Sequence, residues 1–114
     1  MVKGKTTIAP DVLHTIARLT TLNIDGVSRM CLNPTGVKRY FTRGFNDGVR
    51  ILLENDAVYV DLYVILKHNT NVREVSHDIQ QQVARALTET VGMQVGRVNV
   101  HVEDIDYPEK IKAQ

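Results

Sequence analysis

The side chains best suited to chemistry are scattered along this 114-residue chain. The histidines are His14, His68, His77 and His101, and the single cysteine is Cys31. No two of them have the spacing of a metal-binding motif, and no cysteine stands near a histidine in sequence. We therefore expect His14, His77 and His101 to face solvent, and the thiol to be buried or half-buried.

Patterns for covalent or phosphate chemistry are also missing from the sequence. Ser28 and Ser76 lack the surrounding residues of a nucleophile elbow. Neither common glycine-rich phosphate loop occurs, and the acidic stretch 104–106 is too short to be a calcium loop. We predict a protein that is not an enzyme, uses no cofactor or metal, and works by binding and assembly.

One segment, residues 38–45, combines positive charge with aromatic rings. Its candidate contact residues are Lys38, Arg39, Tyr40, Phe41 and Arg43. Basic side chains bind phosphate and rings stack on bases, so a nucleic-acid-binding module is the alternative function. The same composition would suit a lipid surface or an acidic protein partner, or an ordinary solvated loop whose rings tuck against the sheet. The net charge of +1 favours none of these.

A strict alternation of side chains runs from residue 57 to residue 67. One face consists of Val58, Val60, Leu62, Val64 and Leu66, and the other of Tyr59, Asp61, Tyr63, Ile65 and Lys67. This period of two is typical of a strand with one face in the core and the other at least partly open to solvent. Tyrosine is favoured in interfaces. The open face is therefore either an ordinary half-exposed sheet face or a surface for self-association or a partner, made of Tyr59, Asp61, Tyr63 and Ile65.

The remaining elements follow from periodicity and turn residues. We predict strands at 5–8, 49–54, 57–67 and 97–103, a strand or irregular stretch at 27–32, helices at about 10–24 and 71–91, a loop at 33–48 and a frayed tail at 104–114. Pro10 suits a first helical turn, Asn71 a helix cap, and Gly92 a helix stop. The predicted fold is a two-layer α+β domain, in which two helices pack on one face of a small mixed sheet of about four strands.

Composition sets broader limits. At 43% hydrophobic and 24% charged residues, the chain is expected to form one globular domain over residues 1–114. A single cysteine excludes an internal disulfide and favours a reducing compartment. The first residues carry no apolar signal segment, and no apolar run approaches the roughly 20 residues that span a bilayer.

Three stretches together resemble the alkaline-shock or general-stress protein family, the envelope stress response family of bacteria. They are the alternating strand from Ala57 to Lys67, the helix entry Asn71-Val72-Arg73-Glu74-Val75, and the ending Val98-Asn99-Val100-His101-Val102. The resemblance covers residues 48–103 well. A weaker likeness covers residues 4–26.

This resemblance implies a small non-enzymatic cytoplasmic protein linked to stress and to the cell envelope. It implies self-association, and a position near the membrane through a separate anchoring partner. It supplies no catalytic or cofactor residues.

Overall fold

The computed structural model describes residues 2–32 and 48–108. In chain order the elements are α1 (Pro10–Leu22), β1 (Val27–Met30), β2 (Val49–Glu54), β3 (Ala57–Lys67), α2 (Val72–Val91) and β4 (Gln94–Asp106). Except for Gly48, the predicted loop 33–48 lies outside the described residues, as does the chain after residue 108. Among the described residues, no helix has the length and apolarity needed to cross a membrane.

The helix ends follow from their local sequence. The Asn71 side chain accepts a hydrogen bond of 3.1 Å from the Glu74 N–H, which caps α2. Gly92 ends that helix in the left-handed region, with φ of 70°. Pro10 opens α1, but Ala9 before it makes no side-chain cap. The predicted boundaries of both helices are confirmed to within a few residues.

A tight turn joins β2 to β3. Asn55 and Asp56 both have positive φ, at 52° and 64°. A two-residue turn with this backbone matches the twist of an antiparallel hairpin, and asparagine and aspartate tolerate it better than most residues. The predicted hairpin is confirmed.

The sheet is mixed, and β3 is its central strand. β4 runs parallel to β3 along the whole length of β3. β1 and β2 are antiparallel to β3 and meet it at residues 64–66 and 57–62 respectively. Since β4 occupies one edge of β3, β1 and β2 must share the other edge.

Both helices pack on the same face of the sheet. The core unites buried residues of α1, α2 and the inner face of β3: Leu13, Ala17, Val75, Ile79, Val83, Leu87, Val58, Val60, Leu62, Val64 and Leu66. This arrangement confirms the predicted two-layer α+β fold.

Two predictions about the chain ends were wrong. Residues 2–9 form no strand, although residues 5–8 had suggested one; the side chains of this segment are exposed, so it lacks the packing that stabilises a strand. At the other end, Asp104–Asp106 does not fray but continues β4 beside β3. Asp106 accepts hydrogen bonds from Ser28 Oγ at 2.6 Å and Arg29 Nε at 3.1 Å, which fixes this segment against β1.

Candidate functional site

The face of the sheet opposite the helices, here called the outer face, carries the residues that the sequence singled out on β3. Pairing with β2 and β4 places further side chains beside them. Leu52 and Arg97 flank Tyr59. Arg50 and Asn99 flank Asp61, and His101 lies next to Tyr63. The outer face therefore mixes aromatic, aliphatic and charged groups within three adjacent strands.

Asp61 lies at the centre of a small polar network. Its Oδ1 accepts a hydrogen bond from Asn99 Nδ2 at 3.1 Å and lies 3.0 Å from His101 Nε2. Because a carboxylate only accepts, Nε2 must carry a proton in this contact. The Asp61 side chain is 26% exposed and that of His101 is 40% exposed. The network is therefore held in place and still reachable from solvent.

The ring of His101 stacks on Tyr63. The ring centroids are 4.5 Å apart and the planes differ by 11°. Burial raises the pKa of the Tyr63 hydroxyl above its usual value, and the Asp61 carboxylate raises it further. Arg50 opposes this rise through its charge and a hydrogen bond.

The expectation that Tyr63 and Ile65 face solvent was wrong. Tyr63 is only 7% exposed and Ile65 only 5%, and both pack with Cys31 in a second apolar cluster. The Cys31 N–H donates to the Tyr63 carbonyl at 2.7 Å, and the Tyr63 N–H donates to the Gly48 carbonyl at 2.9 Å. The chain thus leaves the sheet after β1, and returns before β2, directly beside Tyr63. Alternation identifies the face a side chain occupies but not whether that part of the face is covered.

The open part of the outer face lies nearer the β2–β3 turn. Leu52 is 52% exposed, and its strand partner Tyr59 is half-buried. We call these two residues the Leu52–Tyr59 patch. Leu52 was missed in the sequence, although a signal was present: Leu52 and Leu53 are consecutive in a strand, so one of them must face away from the core.

The other predicted residues have varied positions. His77 is exposed, His14 and His101 are partly exposed, and Cys31 is buried, as expected. The basic-aromatic residues Lys38, Arg39, Tyr40, Phe41 and Arg43 lie outside the described residues. Within 2–32 and 48–108, no three histidine, cysteine or acidic side chains come together as a metal site would require.

Sequence comparison links the chain to an envelope-associated family. The pattern of the alkaline shock protein family, described as having a cell envelope-related function, matches residues 1–107. YqhY of Bacillus subtilis (strain 168) is 28% identical over 109 residues, which is 94% of this chain and 81% of YqhY. Spy1614 of Streptococcus pyogenes serotype M6 is 26% identical over 107 residues, covering 90% of this chain and 88% of Spy1614.

Solved structures of MamM CTD share the fold. One variant superimposes with a TM-score of 0.54 and 11% identity, covering 86% of this chain and 100% of the other. A second gives a TM-score of 0.52 with 13% identity, covering 82% and 95% of the two chains. At this level of identity the likeness concerns the fold alone.

Proposed function

The chain belongs to the alkaline shock protein family, which has a cell envelope-related function, and we propose that it is a non-enzymatic interaction protein that binds a protein partner near the envelope and associates with itself. Its partner contact would be the Leu52–Tyr59 patch with the polar residues beside it. The observation that carries this proposal is the 52% exposure of Leu52, which lies within β2 and pairs with Tyr59 of β3.

The chemistry of the patch suits a protein partner. An exposed leucine gives up apolar surface on binding, and tyrosine adds ring area while its hydroxyl still finds a polar partner. Protein interfaces commonly have an apolar centre with a polar rim. Asp61, Asn99 and His101 supply such a rim along β3 and β4, and their mutual hydrogen bonds hold them in one arrangement before a partner arrives.

The Asp61–His101 pair supports a binding role better than a catalytic one. A carboxylate beside an imidazole can form the acid–base part of a hydrolytic site, but it then needs an activated nucleophile. Here the imidazole contacts Asp61 through Nε2, and its ring face is stacked on Tyr63. Cys31, the one thiol, is buried in the apolar cluster with Tyr63 and Ile65. The pair organises the rim of the interface.

We further propose that the protein works in the cytoplasm and reaches the envelope through a membrane-anchoring protein partner. The proposal follows from the family's envelope-related function together with the open patch. Nucleic-acid binding through residues 38–45 stays a prediction from the sequence.

A fractionation experiment in the bacterium that produces the protein tests this function. Leu52→Glu places a charge in the middle of the patch, and Gln81→Glu adds the same charge on the exposed side of α2. The proposal expects wild type and Gln81→Glu to sediment with the envelope and folded Leu52→Glu to stay in the soluble fraction. If Leu52→Glu sediments as wild type does, the patch is not the contact.

A further inference from the structure

β4 presents an unusually long edge. It runs for 13 residues, and one of its edges pairs with β3. In the part of the chain that the structure describes, no strand pairs with its other edge. A long edge with unpaired N–H and C=O groups is a template for pairing with another strand, and proteins usually keep edge strands short or interrupted for this reason.

The middle of β4 is regular. Register shifts relative to β3 occur between Val58 and Tyr59 and between Val64 and Ile65, and the six residues 97–102 between them pair without interruption. Because side chains alternate, the valines of this stretch face the core, and Arg97, Asn99 and His101 lie on the outer face. Bulges therefore interrupt the strand only at its two ends.

One carbonyl of this stretch already receives a donor from outside the sheet. Gln80 of α2 donates through Nε2 to the Val98 carbonyl oxygen at 3.3 Å, and this contact is exposed to solvent. Peptide groups two residues apart point to the same edge of a strand. The backbone groups of Val100 and Val102 therefore point the same way as those of Val98.

We propose that two copies of this chain associate by antiparallel pairing of their β4 edges around a two-fold axis at Val100. This inference rests on the proposed function, in which self-association is one part, and it assigns that part to β4. In this register Val98 lies opposite Val102 of the second copy, Asn99 lies opposite His101, and Arg97 lies opposite Glu103. The apolar pairs extend the core face, and the polar pairs extend the outer face.

Charge pairing favours the register with its axis at Val100 over those with the axis one residue to either side. Opposite charges directly across a strand pair stabilise it, and like charges destabilise it. A two-fold axis at Asn99 would place Arg97 opposite His101, and an axis at His101 would place Arg97 opposite Ile105, which packs against the core. Of these three axes, only the one at Val100 sets Arg97 against an acidic side chain. Alternation from Asn99 and His101 puts Glu103 on the outer face too, directly after the uninterrupted stretch and at the point where the register with β3 shifts.

The expected association depends on concentration. A contact confined to one pair of strands falls at the small end of specific interfaces, below about 1,200 Å² of total buried surface. The dimer should therefore form and dissociate over an accessible concentration range.

The experiment uses charge exchange, read by sedimentation velocity and light scattering on the full chain. Arg97→Glu sets like charges across both ends of the interface, as does Glu103→Arg, so each variant alone should stay monomeric where wild type is dimeric. A mixture of the two single variants should form a heterodimer, because each copy then carries the charge that the other lacks. The double variant Arg97→Glu/Glu103→Arg should regain the wild-type dimer.

Dimer formation in the mixture would show that both single variants are folded. Arg73→Glu, a charge reversal on the exposed side of α2, should leave dimerisation unchanged. A wild type that is monomeric at every concentration overturns the proposal. So do single variants that dimerise as wild type does, or a mixture that stays monomeric. Envelope sedimentation of Leu52→Glu reports on the patch alone, so the two proposals can fail separately.

Discussion

The ring of Tyr59 lies against the backbone of Gly96, so closely that a Cβ on residue 96 would stand 2.5 Å from the ring atom Cε1. An aromatic ring can pack closely over a glycine on the neighbouring strand, whereas a side chain at the glycine position would block this contact. Gly96 also lies where the register between β3 and β4 shifts. The contact thus joins the Leu52–Tyr59 patch to the start of the regular part of β4.

Gly96→Ala should displace the Tyr59 ring and lower the free energy of unfolding by about 1 kcal/mol, the low end of the cost of overpacking, because the outer end of this half-buried ring can move aside. In a Tyr59→Ala background the same substitution should cost much less, because the ring it collides with is gone. Denaturant unfolding of the four proteins gives the coupling energy. If Gly96→Ala lowers the free energy of unfolding equally in both backgrounds, its cost does not come from a clash with the Tyr59 ring.

Tyr63→Phe should change how stability depends on alkaline pH. Since the pKa of Tyr63 is raised in the folded protein, the folded state holds this proton more tightly than the unfolded chain. Its stabilising contribution is complete below the ordinary tyrosine pKa of about 10 and is lost as pH rises through the higher folded value. Wild type should therefore lose more stability than Tyr63→Phe above about pH 10.

Tyr107→Phe is the matched control, because Tyr107 is 46% exposed. Unfolding free energies measured across the alkaline range should fall in parallel for wild type and Tyr107→Phe. A Tyr63→Phe curve that also parallels wild type would contradict the effect assigned to burial and Asp61.

Ala9→Ser should stabilise the protein. Ala9 has the extended backbone of a helix-capping residue, with φ of −65° and ψ of 141°, but no side-chain oxygen to accept a hydrogen bond from the first turn of α1. A serine there should add about 0.5–2 kcal/mol to the free energy of unfolding.

Asn71→Ala provides the converse, since it removes the hydrogen bond to the Glu74 N–H and should cost a similar amount at α2. Thermal or denaturant unfolding checks both variants. An Ala9→Ser protein no more stable than wild type would mean that the missing side-chain cap of α1 does not lower the stability of the protein.

Sequence reasoning located most of the elements because their signals are local. Asn71, Gly92 and the Asn55-Asp56 turn mark their own boundaries through backbone preference and short-range hydrogen bonds. The period-two pattern of β3 placed its valines and leucines in the core correctly. These features depend on residues close together in the chain.

The errors concern contacts between distant residues. The stretch at residues 5–8 has strand-like composition, but strand preference depends on packing against neighbours, and the side chains of residues 2–9 are exposed. Asp106 is ordered by Ser28 and Arg29, about 78 residues away in sequence. Tyr63 and Ile65 occupy the predicted face, but their burial beside Cys31 depends on where the chain leaves and rejoins the sheet. No local pattern encodes these pairings.

The most direct test of the account is site-specific photo-crosslinking in the cell that produces the protein. A photoreactive amino acid at position 52 lies in the patch, and one at position 81 on the exposed side of α2 serves as the control. The account predicts a discrete covalent adduct with another protein of the envelope fraction from position 52 and none from position 81. No adduct from position 52, or the same adducts from both positions, would contradict an interaction role for the outer face.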